Sequence, residues 1–448
     1  MMDELNNFGE ELVTFISETE LLKVPEFYYD ALLNYLGVTY LGAKQQAISI
    51  VLKTLLDDHQ GKFQPLNRLE KVSLLDVALV DCFSSAIQAY DDIHFTTTTH
   101  PCGPVLSAIL ALARIQKISL KEALNALYIG MEVECRVATL LFDQTDSSSN
   151  WYTTGIAGGI GATGALSHLL KFNRQQIKSA IGLASNLASG IRGSHGSMTG
   201  SFIPAIVCQN GLKAVMLVKN GFTCSFNSFI GQNGLVRTIT KNPAINSAGN
   251  DFNHNFLSMK VSCKPYPYGF IAFATIAALS KVNVNISKIK EVKVMVSPRV
   301  KQLGANYDVK TMYDGFVSLP YIISHLLIDY QNAHIPLDDD FKVTEDERNL
   351  MKKVKILENI KYGDQEVKII IDEHEYYIND VPGSIAHPMQ HQEVINKFIK
   401  ITQFKQSEQF INALYQQEID DIYQFIITNL NEKIKKVIDL ELTINTRI

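Results

Sequence analysis

Residues 153–172, TTGIAGGIGATGALSHLLKF, carry five glycines, at 155, 158, 159, 161 and 164. Gly159, Gly161 and Gly164 spell G-x-G-x-x-G. As a phosphate-binding turn, this stretch would make the chain a dinucleotide-binding α/β protein. As a helix, it would place the chain among mainly helical folds. A dinucleotide turn follows a strand and has an acid about 20 residues later. Here DQTDSSSN (143–150) comes before it, and residues 151–250 contain neither Asp nor Glu. The helical reading wins: small residues let a buried helix approach its neighbours closely.

The flanks read the same way. LLNYLGVTYLGAKQQAISIVLKTLL (32–56) spaces its apolar residues by three and four, as one face of a helix requires. Pro104 suits the first turn of a helix running VLSAILALARIQK. Ser119 and Glu122 form a capping pattern before LKEALNALYIGMEVECRVATLL. IKSAIGLASNLASGIRG and AIVCQNGLKAVMLVKNGF continue the helical series. Near residue 285 the period changes. KIKEVKVMVSP alternates like a half-buried strand, and EVKIIIDEHEYYIND reads as another after the Gly363-Asp364 turn signal. HPMQHQEVINKFIKI then opens a helical tail. The expected fold is mainly α with an α+β second domain. A large all-helical domain spans 1–275, completed by 400–448, and a smaller α/β lid domain spans 276–399.

Composition narrows the function classes. The 448 residues are 46% hydrophobic and 19% charged, with net charge −5 and no basic block, so nucleic acid is not an expected partner. No run of consecutive apolar residues reaches the roughly 18 of a membrane span. The cysteines at 82, 102, 135, 208, 224 and 263 form no C-x-x-C pair. MMDELNNFGEELV lacks the charged-then-apolar pattern of a signal peptide. The expected location is cytoplasmic.

Chemistry-bearing residues are densest in QAYDDIHFTTTTHPCGP (88–104). Asp91, Asp92, His94 and His100 stand just before a helix start, where free N–H groups favour anions. Either histidine suits acid–base work near neutral pH. The alternative is that the acids and threonines only cap helices and satisfy turns. Asp91, His94 and His100 also make a carboxylate and two imidazoles, but their spacing fits no helical ligand pair, so no metal is expected. IRGSHGSMTGSF (191–202) offers Arg192 and His195 for an anion; SCKPYPYGF (262–270) offers Lys264 before a rigid turn. SLPYIISHLL (318–327) offers Tyr321, as a donor to a substrate oxygen or as a core tyrosine.

In this order, the pieces resemble the MmgE/PrpD family, which includes 2-methylcitrate dehydratase, cis-aconitate decarboxylase and iminodisuccinate epimerase. The marks are YDDIHFTTTTHPCGPVLSAILALA, GMEVECR, NWYTTGIAGGIGATGALSHLLKF, ASGIRGSHGSMTGSF, QNGLKAVMLVKNGF, IGQNGLV, KPYPYG, SLPY and a late HPM…KF. The resemblance implies a helical main domain with an α/β lid, a homodimer, and no metal or organic cofactor. It implies proton transfer or elimination beside a carboxylate or carbonyl of a small organic acid. By the matching motifs, the resemblance implies His100, His94, Lys264 and Tyr321 as catalytic residues. Asp91 and Asp92 of the acidic motif are expected on the substrate, with Arg192, His195 and Tyr152.

The sequence also departs from the family pattern. Ala89-Tyr90-Asp91-Asp92-Ile93 lacks the first acid and the threonine of D-[FY]-D-D-T. Tyr152 stands where a histidine often follows the aromatic residue. Gly200 and Ile203 replace a lysine and a histidine, and Gly269 and Phe273 fall at polar positions. Buried carboxylates need compensating charge, so a tricarboxylate substrate is not expected. Two functions remain: a cofactor-independent lyase or isomerase, and a catalytically inactive homologue that binds a ligand or partner.

Overall fold

The computed structural model describes residues 2–57, 60–142, 150–249, 252, 255–329 and 341–430. It is mainly helical, with a smaller α/β portion. Apolar residues gather in two clusters. The first draws on Leu5 to Cys263 and again on Val394 to Leu430; the second draws on Tyr268 to Val381.

The glycine stretch is a helix throughout, Thr153–Leu169. It packs between the helices Leu120–Leu141 and Met198–Lys219. A Cβ on Gly161 would stand 2.7 Å from the Gly130 carbonyl oxygen, and one on Gly159 would stand 2.8 Å from that of Val207. Both contacts are with backbone, so these glycines set the close helix approach. Ser119 and Glu122 form the expected capping box. Pro104 lies in the first turn of the helix Cys102–Ala113.

Among the described residues, one helix, Met198–Lys219, is long and apolar enough to cross a membrane. Gln209, Asn210 and Lys213 break its apolar run. It packs as a core helix against Leu74–Ala86 and the glycine helix.

Two short strands place the site. β1 (Asp92–His94) pairs antiparallel with β2 (Val261–Cys263), in register Asp92 to Cys263. Residues 88–104 are therefore more than a turn. The approach to β2 is fixed by Glu132, which accepts from the Leu257 and Ser258 N–H groups (2.9 and 2.8 Å) and from the Arg136 Nε at 2.7 Å.

The second cluster is built on a four-stranded sheet. Its strands are β3 (Val292–Val296), β4 (Val354–Glu358), β5 (Val367–Ile371) and β6 (His374–Ile378), in the order β4-β3-β5-β6. The β3–β4 pair is parallel; the other two pairs are antiparallel. EVKIIIDEHEYYIND is thus a hairpin of two strands, because Asp372, at φ 51°, turns the chain. The helices His391–Thr402, Ser407–Gln416 and Ile422–Leu430 return to the first cluster. The first of these packs along Glu26–Gly42. Residues 431–448 of the expected return lie outside the described residues.

Candidate active site

The β1–β2 pairing brings together side chains that stand 173 residues apart in sequence. Lys264 N–H donates to the Asp91 carbonyl at 2.9 Å. Its ammonium donates to Asp91 Oδ1 at 2.5 Å, and both side chains are buried. Burial alone would raise the Asp91 carboxyl, but the Lys264 ammonium bonded to it outweighs this and holds the group below its usual range.

His100 Nδ1 lies 2.5 Å from the Asp92 carbonyl and 3.3 Å from Asp91 Oδ2. A carbonyl only accepts, so Nδ1 carries the hydrogen and Nε2 keeps the lone pair. Burial first, then the Lys264 charge, holds His100 below the ordinary imidazole value. The loop carrying His100 is anchored to the start of the glycine helix. His100 N–H donates to Thr154 Oγ1 at 3.0 Å, and Thr153 Oγ1 donates to the Thr98 carbonyl at 3.1 Å. Thr98 has φ 56°. That is an unfavourable region for a β-branched residue, and the surrounding bonds hold it there.

Asp91, His100, Tyr152, Arg192, His195 and Lys264 line one cavity of about 300 Å³. Tyr152 is raised by burial and by the Asp91 charge, so its hydroxyl keeps its proton. His195 sits at the exposed rim, edge-on to Tyr152 with ring centroids 5.2 Å apart. The Arg192 backbone N–H is fixed to the Asn150 carbonyl at 2.8 Å. Among the described residues, no carboxylate pairs with its guanidinium.

Three expected site residues are not brought to the cavity. His94 is fully buried and turned to Thr97, with Nδ1 2.7 Å from Oγ1. Burial pushes it down to about 3, so it is a neutral structural histidine. Asp92 accepts from the Cys102 N–H at 3.1 Å, at the start of the Cys102–Ala113 helix. Burial and the neighbouring Asp91 charge raise its carboxyl. Tyr321 lies in the second cluster, stacked on His325 at 5.5 Å. Lys264 does line the cavity, with its ammonium bonded to Asp91.

Two buried groups were missed by reading the sequence. Lys397, on the His391–Thr402 helix, donates to the Tyr90 carbonyl at 2.7 Å and the Lys264 carbonyl at 2.8 Å. It also lies 3.7 Å from the centre of the Tyr90 ring. Burial pushes its ammonium down to about 7. The only signal was its place in HPM…KF. Glu134, in GMEVECR, is fully buried with neither oxygen hydrogen-bonded, and burial raises it strongly.

Asp91, His94 and His100 do not converge on a metal position. Among the described residues, Glu26, Asp30 and His391 group within ligand range of one another. Asp30 Oδ1 there already accepts from His391 Nδ1 at 2.7 Å and from the Tyr415 hydroxyl at 2.5 Å.

The fold and cavity define a mainly helical protein in which a buried Lys–Asp–His chain faces a pocket shared with a smaller α/β portion. The chain belongs to the MmgE/PrpD family: the MmgE/PrpD N-terminal domain matches residues 10–248, just over half of its length. It is also similar to a cis-aconitate decarboxylase-like protein of Aspergillus oryzae, 28% identical over 148 residues. That match covers 31% of each chain, so the similarity spans under a third of the curated relative's length.

Proposed function

We propose that this chain is a lyase or isomerase that moves a proton beside a carboxylate or carbonyl of a small organic acid other than a tricarboxylate. The observation that carries this reading is His100, a neutral imidazole whose Nδ1 hydrogen is committed to the Asp92 carbonyl at 2.5 Å, beside Asp91. The free Nε2 takes a proton from the substrate carbon. The electron pair of the broken C–H bond moves onto the adjoining carboxylate or carbonyl. Arg192 and the Tyr152 hydroxyl line the same cavity and stabilise that negative charge. Asp91, held ionised by Lys264, stabilises the imidazolium that results. Return of the proton to the carbon completes an isomerisation; loss of a β-substituent with the electron pair completes an elimination.

The test is exchange of the hydrogen beside the carboxylate in deuterated water, followed by NMR over a panel of small carboxylic and keto acids. His100→Ala is expected to slow exchange by about 10²-fold or more. Unchanged exchange in a folded His100→Ala protein refutes the assigned base.

A further inference from the structure

We infer that the ligand of this cavity is a monocarboxylate with an apolar arm, its carboxylate held by Arg192. The inference rests on the reading of this cavity as the place of proton transfer, and it adds the substrate class. It stands on charge and on the distribution of polarity around the wall.

Among the described lining residues, the cations are Arg192 and Lys264 and the acid is Asp91. The Lys264 ammonium is bound to Asp91 Oδ1 at 2.5 Å, so these two charges cancel inside the protein. Arg192 has no such partner among the described residues. The wall therefore carries one uncompensated positive charge, which matches one carboxylate. A second or third carboxylate in the same cavity would be desolvated without a counter-charge.

The remaining surface is uneven. Asp91, His100, Tyr152 and Arg192 come from the helical part of the chain. The α/β part contributes Gln302 and Tyr313 and, as most of its wall, the apolar Phe270, Ile271, Leu303, Phe316 and Val317. Of these five apolar residues, Ile271 and Phe316 are fully buried and the other three are partly so. An ionic head on one side and an apolar arm on the other fits this two-sided wall. Gly200 and Gly269, where the family pattern is polar, also line the cavity and add no charge.

Binding is measured by titration calorimetry on the full chain, with no requirement for turnover. The probes are straight-chain α-keto acids of increasing length, the amide of one of them, and di- and tricarboxylates of matched carbon count. Affinity is expected to rise about fourfold for each buried methylene. The amide, and the acid with a second terminal carboxylate, are expected to bind at least about tenfold more weakly. Arg192→Gln should abolish the preference for acid over amide and keep the chain-length gradient. If that variant does not fold, the acid-to-amide comparison on the unaltered protein decides. A dicarboxylate or tricarboxylate that binds more tightly than its matched monocarboxylate overturns the inference. So does a flat length gradient, or no binding by any monocarboxylate. Exchange in deuterated water separates this result from the proposed reaction. A monocarboxylate that binds without exchange refutes the reaction and leaves the ligand class. Exchange on a tricarboxylate, with weak monocarboxylate binding, refutes the ligand class and leaves the reaction.

Discussion

His94 and His100 are six residues apart and have opposite roles, set by what surrounds each ring. His94 packs among threonines, with Nε2 unpartnered and no acid beside it. His100 lies against Asp91 and the cavity. Acid should therefore unfold the protein partly through His94. Its folded value is about 3, below the ordinary value of about 6.5. Between these values the unfolded chain holds a proton that the folded chain does not. The stabilising contribution is full above pH 6.5 and is lost as pH falls toward 3. The slope is about 1.4 kcal/mol per pH unit for one proton. Urea titrations from pH 4 to 6 should show His94→Gln with a shallower pH dependence than the unaltered protein, by about that slope. Parallel curves would show that His94 is not buried neutral.

At the scale of elements, the site depends on two three-residue strands and a helix that arrives late in the chain. Lys397 donates to carbonyls on either side of the β1–β2 pair, those of Tyr90 and Lys264. Replacing it with Met leaves two buried acceptors without donors, at a cost of about 1–3 kcal/mol each. Lys397→Met should lower the urea midpoint accordingly with an unchanged m-value, and should slow exchange by letting Asp91 and Lys264 drift. A folded Lys397→Met protein with unaltered midpoint and exchange would show that the helix does not brace the site. These contacts also mark how far the sequence could be read. The helices and the strand period near 290 were legible because burial repeats locally along each element. The Asp91–Lys264 pair was not, because its partners meet only through a pairing across 173 residues. A lysine on an amphipathic helix ordinarily reads as surface, so Lys397 gave no sign of burial. SLPY placed Tyr321 in an apolar segment without showing which side of that segment faces the cavity.

At the scale of the molecule, the helical part and the α/β part of the chain each supply one wall of the cavity. A ligand that bridges the walls binds only when both are folded, so its binding energy adds to the stability of both. With ligand at a hundredfold excess over its Kd, stabilisation is about 2.7 kcal/mol. Hydrogen exchange followed by mass spectrometry locates that gain. Amides of β1 and β2, on the helical side, and of residues 269–271 and 316–319, on the α/β side, should slow together on ligand addition. The extent of slowing follows the same relation, because these amides exchange through openings that release the ligand. Protection confined to the helical side would mean that the carboxylate is held while the arm stays in solvent. The apolar wall formed by Phe270, Leu303 and Val317 would then have no part in recognition, and the length gradient would be absent for the same reason.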